Sequence, residues 1–159
     1  MTQRLDYLKQ APELFKALVD LSMKVHDSAI EVTTQHLVTT RASQINGCAF
    51  CVDMHVKQAT IAGERPLRLH HVAIWRESPL FTERERAALA WTELLTQIPA
   101  HGVSDQDYAD AREFFDEKEL TQLTYLVMSI NAWNRVNIAF RTVPGTQDQA
   151  YGLTRAQLA

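Results

Sequence analysis

The sequence predicts an all-α protein, a single-domain helical bundle of about six to eight helices. Two observations carry that expectation. Apolar residues recur three and four positions apart along almost the whole chain, and no segment sustains the alternation of a half-buried strand. Turn and capping residues fall where such helices would begin and end.

The first helix is expected after Pro12, a residue suited to a helix start, with Leu14, Leu18, Leu21 and Val25 as its apolar stripe. A second is expected over Thr34 to Ile45, and Asn46-Gly47 then breaks the chain. From Cys48 no Gly or Pro intervenes until Gly63, so a third helix covers about 48 to Ala62. Pro66 to Arg76 reads as another, with Leu69, Val72 and Ala73 inward. Thr82 with Glu85 three residues later is a capping-box signature ahead of Ala87, Trp91, Leu94, Leu95 and Ile98. Ser104 caps a short helix bearing Phe114. A longer helix carries Leu120, Leu123, Val127, Ile130 and Asn134 until Pro144-Gly145. The charged run Glu83 to Arg86 reads as a solvated helix start, and the last dozen residues as loosely held.

At 159 residues, 46% hydrophobic and 22% charged, the chain fits one domain over 1–159 with its core at about 12–143. A net charge of −3 argues against a nucleic-acid partner, which calls for a basic surface. No apolar run approaches the ~20 residues that span a bilayer. The polar start Met1-Thr2-Gln3-Arg4 is no signal peptide, so the expected location is the cytoplasm. In a reducing compartment two cysteines point to catalysis, metal binding or inert burial rather than a structural disulfide.

Those two cysteines, Cys48 and Cys51, stand with His55 at spacings of three and four, so on a helix all three share a face. The first turn of a helix offers unpaired N–H groups and a positive dipole end, which favour a thiolate. Cys51 would be the thiolate, His55 its proton partner and Cys48 the thiol that resolves a sulfenic acid to a disulfide. Side chains three apart on a helix have Cβ atoms about 5–6 Å apart, wider than a disulfide allows, so bridging demands an adjustment of that turn. No metal or organic cofactor is needed for this chemistry.

Over Arg41-Ala42-Ser43-Gln44-Ile45-Asn46-Gly47-Cys48-Ala49-Phe50-Cys51-Val52-Asp53-Met54-His55 the chain resembles the alkyl hydroperoxidase D-like branch of the carboxymuconolactone decarboxylase family. Leu80-Phe81-Thr82-Glu83-Arg84-Glu85 with Ala88-Leu89-Ala90-Trp91-Thr92, and Ile130-Asn131-Ala132-Trp133-Asn134-Arg135, look like two further segments in the family's order. The resemblance implies that family's helical fold, assembly into trimers or hexamers, and a Cys-x-x-Cys cycle that reduces hydroperoxides. It implies Cys51 as the attacking cysteine, Cys48 as the resolving one and His55 as the proton relay. An external dithiol of lipoyl or thioredoxin type would be the reductant. Two positions depart from the pattern. The family's glutamate twelve residues before the first cysteine is here His36, with Glu31 a poor substitute, and the histidine between the cysteines of the best-known member is Phe50. His36 therefore joins the candidate site as a proton carrier that is not a permanent anion.

Other readings stay open. The cysteines could be small buried hydrophobes, or could bind zinc with His55 and His36. A non-enzymatic redox switch, a disulfide oxidoreductase and a decarboxylase-type lyase of the same superfamily are the alternatives in function. A thioredoxin-like module would need strands that the pattern lacks. His26, His70, His71 and His101 carry no expected role. Trp91 and Trp133 are expected in the core or at a subunit contact, and Asn134 and Arg135 as braces between helices.

Overall fold

The computed structural model describes residues 2–158, and among these there are helices and no strands. Helix α1 spans Tyr7–Gln10, α2 Pro12–His26, α3 Val32–Asn46 and α4 Ala49–Ile61. Helix α5 spans Pro66–His71 and runs into a 3₁₀ segment, Val72–Glu77. Then come α6 over Glu83–Thr96, α7 over Asp105–Arg112, α8 over Glu117–Phe140 and a last 3₁₀ turn, Leu153–Ala156. Among the described residues the eight α-helices agree with the expected range, and none is long and apolar enough to cross a membrane.

The helix ends follow their side chains. Capping boxes open three helices: Thr82 with Glu85 on α6, Ser104 with Asp107 on α7 and Asp116 with Glu119 on α8. Gly47 closes α3 in the left-handed conformation at φ 68°. Its N–H bonds the Gln44 carbonyl and the next N–H, from Cys48, bonds Ser43, the paired bonds of a Schellman stop. A side chain at Gly47 would be strained, so the turn that delivers the cysteines depends on glycine there.

Helix α3 is the central element, packing against α4, α6 and α8. Its buried face is largely polar, with Thr34, Gln35, His36, Thr39, Thr40 and Ser43 beside Leu37 and Val38. One apolar cluster joins α2, α6, α7 and α8 around Trp91, Phe115 and Leu123. Another joins α3, α6 and the first 3₁₀ segment around Leu37, Val72, Trp75 and Leu89. The third contains both cysteines with Ala42, Phe50 and Ile130.

Four expectations need correction. The segment after Pro66 is not one α-helix: it tightens to three residues per turn after His71, so Leu69, Val72, Trp75 and Ser78 turn inward and Ala73 outward. Leu14 and Ile98 are exposed, at 67% and 64%; Leu14 lies off the buried face of α2, and α6 ends before Ile98. The run Glu83 to Arg86 is not uniformly solvated. Glu85 is buried against Arg68, and Arg84 joins Glu31 to Glu119. The segment 148–156 is not loose either. Leu153 and Ala156 are buried on α4, and Lys57 of α4 holds Asp148 at 2.6 Å and Asp53 at 2.8 Å.

Candidate active site

Cys48 is the N-cap of α4 rather than part of its first turn, with extended backbone at φ −85° and ψ 93°. Cys51 lies within that turn. This N-cap geometry supplies the adjustment that a regular helix would withhold, and the two sulfurs stand 2.7 Å apart as free thiols. Both are sealed from solvent, Cys48 at 2% and Cys51 at 0% exposure.

A thiol pair so close gives up its two protons in separate steps that belong to the pair. Cys48 is the better place for negative charge. Its pKa is lowered by the hydrogen bond shared with Cys51, against burial, and by the backbone N–H groups of Cys51 and Phe50 and the Asn134 side chain. Cys51 is pushed up by its bond to Cys48, by burial and by the charge on Cys48. The start of the helix thus favours charge on Cys48, which occupies the cap position, more than on Cys51. Titrating the reduced protein by thiolate ultraviolet absorbance is expected to show one thiolate forming below the ordinary thiol range of about 8.5, and no second one up to about pH 10. Two equivalents in that range would mean that the sulfurs do not share a proton.

His55 lies one turn beyond Cys51, as the spacing requires, but no hydrogen bond joins it to either sulfur. Its Nδ1 pairs with Gln58 Oε1 at 2.8 Å, and its buried Nε2 has no protein partner. With Nδ1–H donating to that oxygen, Nε2 is an open proton acceptor. Burial, chiefly, lowers the imidazole pKa to about 4; the Gln58 bond acts in the opposite sense and the charge of His36 reinforces the fall. His55 is therefore neutral at neutral pH.

That shift makes stability depend on pH. The folded pKa is depressed below the ordinary 6.5, so between these values the unfolded chain binds more protons here and stability falls as pH is lowered. His36 is displaced in the same direction by burial. Thermal melting is expected at a lower temperature at pH 5 than at pH 7.5, with the difference reduced in His55→Gln. An unchanged difference in that variant would assign the effect to other groups.

A cavity of about 800 Å³ opens beside the cysteines, bordered by α2, α3, α4 and α8 and by residues within 3–9 and 147–155. His36 and His55 line it, as do Phe50, Met54, Ile130 and Trp133, which pack around the sulfurs. The sulfurs themselves lie behind this wall. Of the four expected residues, His55 and His36 line this cavity, while Cys48 and Cys51 pack behind Phe50, Met54, Ile130 and Trp133. Among the described residues, no three His, Cys, Asp or Glu side chains are placed to hold a metal ion together. Glu31 faces away, paired with Arg84 at 2.9 Å.

Sequence reasoning missed three polar residues of the site. Gln58 follows His55 by three, and spacing alone could have paired them. Asn137 approaches Cys51 from α8, its Nδ2 3.6 Å from the sulfur. Tyr7 reaches Asn137 from α1. Asn131, Asn134 and Asn137 recur every three residues, a polar row on the buried face of α8 that was visible as a pattern. Asn134 braces the helices as expected: its Nδ2 donates to Ser43 Oγ and its Oδ1 accepts from Asn46 at 2.8 Å. Arg135, by contrast, stays on its own helix, bonded to Asn131.

The protein YdfG of Bacillus subtilis (strain 168), itself uncharacterized, is 40% identical over 139 residues, 87% of this chain and 95% of that one. A solved structure from Agrobacterium tumefaciens, ATU0492, a protein of unknown function whose name links it to antioxidant defence and AhpD, is 40% identical. It superposes with a TM-score of 0.87 over 91% of this chain and 99% of its own. The debrominase Bmp8 shares the fold at 19% identity and a TM-score of 0.78, over 94% of this chain and 80% of that one. The model of the carboxymuconolactone decarboxylase family matches residues 12–94, more than half of the sequence, and the chain belongs to that family.

Proposed function

We propose that the protein is a thiol-dependent peroxidase that reduces hydrogen peroxide or organic hydroperoxides through a Cys48–Cys51 disulfide cycle. The observation that carries the proposal is the sulfur pair, 2.7 Å apart at a helix start and packed against residues that line a largely apolar cavity. The AhpD-linked relative at 40% identity supports it.

In the first step the proton of Cys51 passes to Cys48 across their hydrogen bond, and the Cys51 thiolate attacks the O–O bond. One oxygen stays on sulfur as a sulfenic acid, and the other leaves as an alcohol or water by taking back the proton that Cys48 received, which leaves Cys48 a thiolate. The Nε2 of His55, an open acceptor, is placed to pass protons between solvent and the leaving oxygens, with His36 a second imidazole on the same cavity. In the next step Cys48 sulfur displaces the hydroxyl of the Cys51 sulfenic acid, forming the disulfide and releasing water. An external dithiol of lipoyl or thioredoxin type then reduces the bridge, becoming a disulfide itself.

The same proposal places the protein in the reducing cytoplasm, where both thiols would be regenerated, and assembles it as a trimer or hexamer. The test is consumption of cumene hydroperoxide and hydrogen peroxide with excess dithiol, followed together with intact mass. Turnover that ceases when the thiols are alkylated supports the reading. Absence of turnover with thiols that remain unoxidised overturns it.

A further inference from the structure

Asn137 is 3% exposed and sits where the N-terminal segment meets the reactive sulfurs. Its Nδ2 donates to the Trp133 carbonyl at 2.9 Å and lies 3.6 Å from Cys51 Sγ. A carbonyl only accepts, so the nitrogen end of the amide is fixed. Its Oδ1 then faces Tyr7, whose hydroxyl donates to it at 3.1 Å. Both ends of the amide are held, with one N–H aimed at sulfur.

Tyr7 is well suited to hold it. The ring stacks on Phe140 at 5.6 Å and packs against Phe15 at 6.2 Å. Burial raises its pKa to about 12, so the hydroxyl remains a donor throughout the physiological range. The chain before it is fastened to the end of α8, with Arg4 N–H on the Phe140 carbonyl and the Arg4 guanidinium on Ala139, both at 2.9 Å.

We propose that Asn137 is a positioning residue for Cys51, and that Tyr7, by fixing the amide, makes the reactivity of that thiol depend on the docked N-terminal segment. The inference rests on the peroxidase reading for its purpose, though not for its test. The Asn137 N–H stabilises charge on Cys51 once the proton has moved to Cys48, when attack occurs. The direction of its effect agrees, since the Asn137 bond lowers the Cys51 pKa.

The test uses the full chain carrying Cys48→Ser, so that Cys51 is its single thiol, and follows alkylation by iodoacetamide against pH. The titratable groups facing this sulfur are Cys48, removed by the substitution, Tyr7, which stays protonated, and His55 on the same helix. The midpoint reports the thiolate, and the plateau at high pH reports access. Asn137→Leu is expected to raise the midpoint by about one unit, a tenfold slower reaction at pH values below it. Tyr7→Phe, which keeps the stacked ring, is expected to slow it roughly threefold, and the double variant to add nothing beyond Asn137→Leu. Midpoints that do not move, or a Tyr7→Phe effect that persists undiminished without Asn137, overturn the proposal. If Asn137→Leu fails to fold, Tyr7→Phe alone decides it. Because no peroxide is used, this outcome is separate from failure of the peroxidase assay.

Discussion

Cys51→Ser is expected to abolish hydroperoxide turnover, by a factor on the order of 10³ or more, because the hydroxyl that replaces the thiol is not ionised near neutral pH and is a poor nucleophile. Cys48→Ser should behave differently. It leaves the attacking sulfur but removes the resolving one, so a single round of oxidation ends with Cys51 as a sulfenic acid, detectable as one added oxygen by mass or by a dimedone adduct. It also removes the sulfur whose hydrogen bond, and then whose charge, hold the Cys51 pKa up beside burial, so thiolate should form on Cys51 at lower pH than in the native pair. Excess peroxide would drive the trapped residue further up the oxidation series. If the roles are exchanged, with Cys48→Ser dead and Cys51→Ser carrying the added oxygen, the charge resting on Cys48 marks the attacking sulfur and the proton hop is unnecessary. The two variants therefore fix the direction of the cycle as well as its existence.

Arg68→Met is expected to be the most damaging substitution away from the cysteines. Arg68 is 8% exposed and joins two carboxylates, with Glu85 at 2.5 Å and Glu64 at 2.9 Å, while also donating to the Leu80 carbonyl. Its guanidinium lies 5.0 Å from the centre of the Phe81 ring. Glu85 is not a spare partner, since its carboxylate accepts the Thr82 N–H at 2.8 Å as the second half of the α6 capping box. Methionine fills much of the arginine's volume, yet it leaves two covered carboxylates facing one another without a cation. Breaking a buried pair in this way costs about 3–5 kcal/mol. For a chain of this length that is roughly 10–15 °C in Tm. Differential scanning calorimetry is the check. A fall of only about 2 °C would show that water or rearrangement satisfies the carboxylates, and that the cluster fixes the position of α5 without holding the fold together.

The helical architecture could be read from the chain because its signals are local. A capping box, an N-terminal proline and a glycine stop act on the backbone within a few residues, so Pro12, Thr82, Ser104, Gly47 and Gly63 mark their helix ends in any tertiary setting. Reading fails where local rules meet long-range packing. No periodicity within Pro66 to Arg76 announces the 3₁₀ tightening that puts Trp75 against α6, where its Nε1 bonds Glu93 at 2.9 Å. Nor does the sequence around Glu85 show that an arginine seventeen residues earlier will cover it.

The site divides along the same line. Sequence alone determined that Cys51 and His55 stand one turn apart on a helix that begins at Cys48, since residues within eight positions are placed by helix geometry and little else. Only the tertiary structure decided which sulfur holds the charge, that His55 turns to Gln58 and leaves Nε2 open, and that His36, Asn137 and Tyr7 arrive from three other helices. Proton affinity and hydrogen-bond direction depend on burial and on partners remote in the chain, and those exist only after the helices have packed.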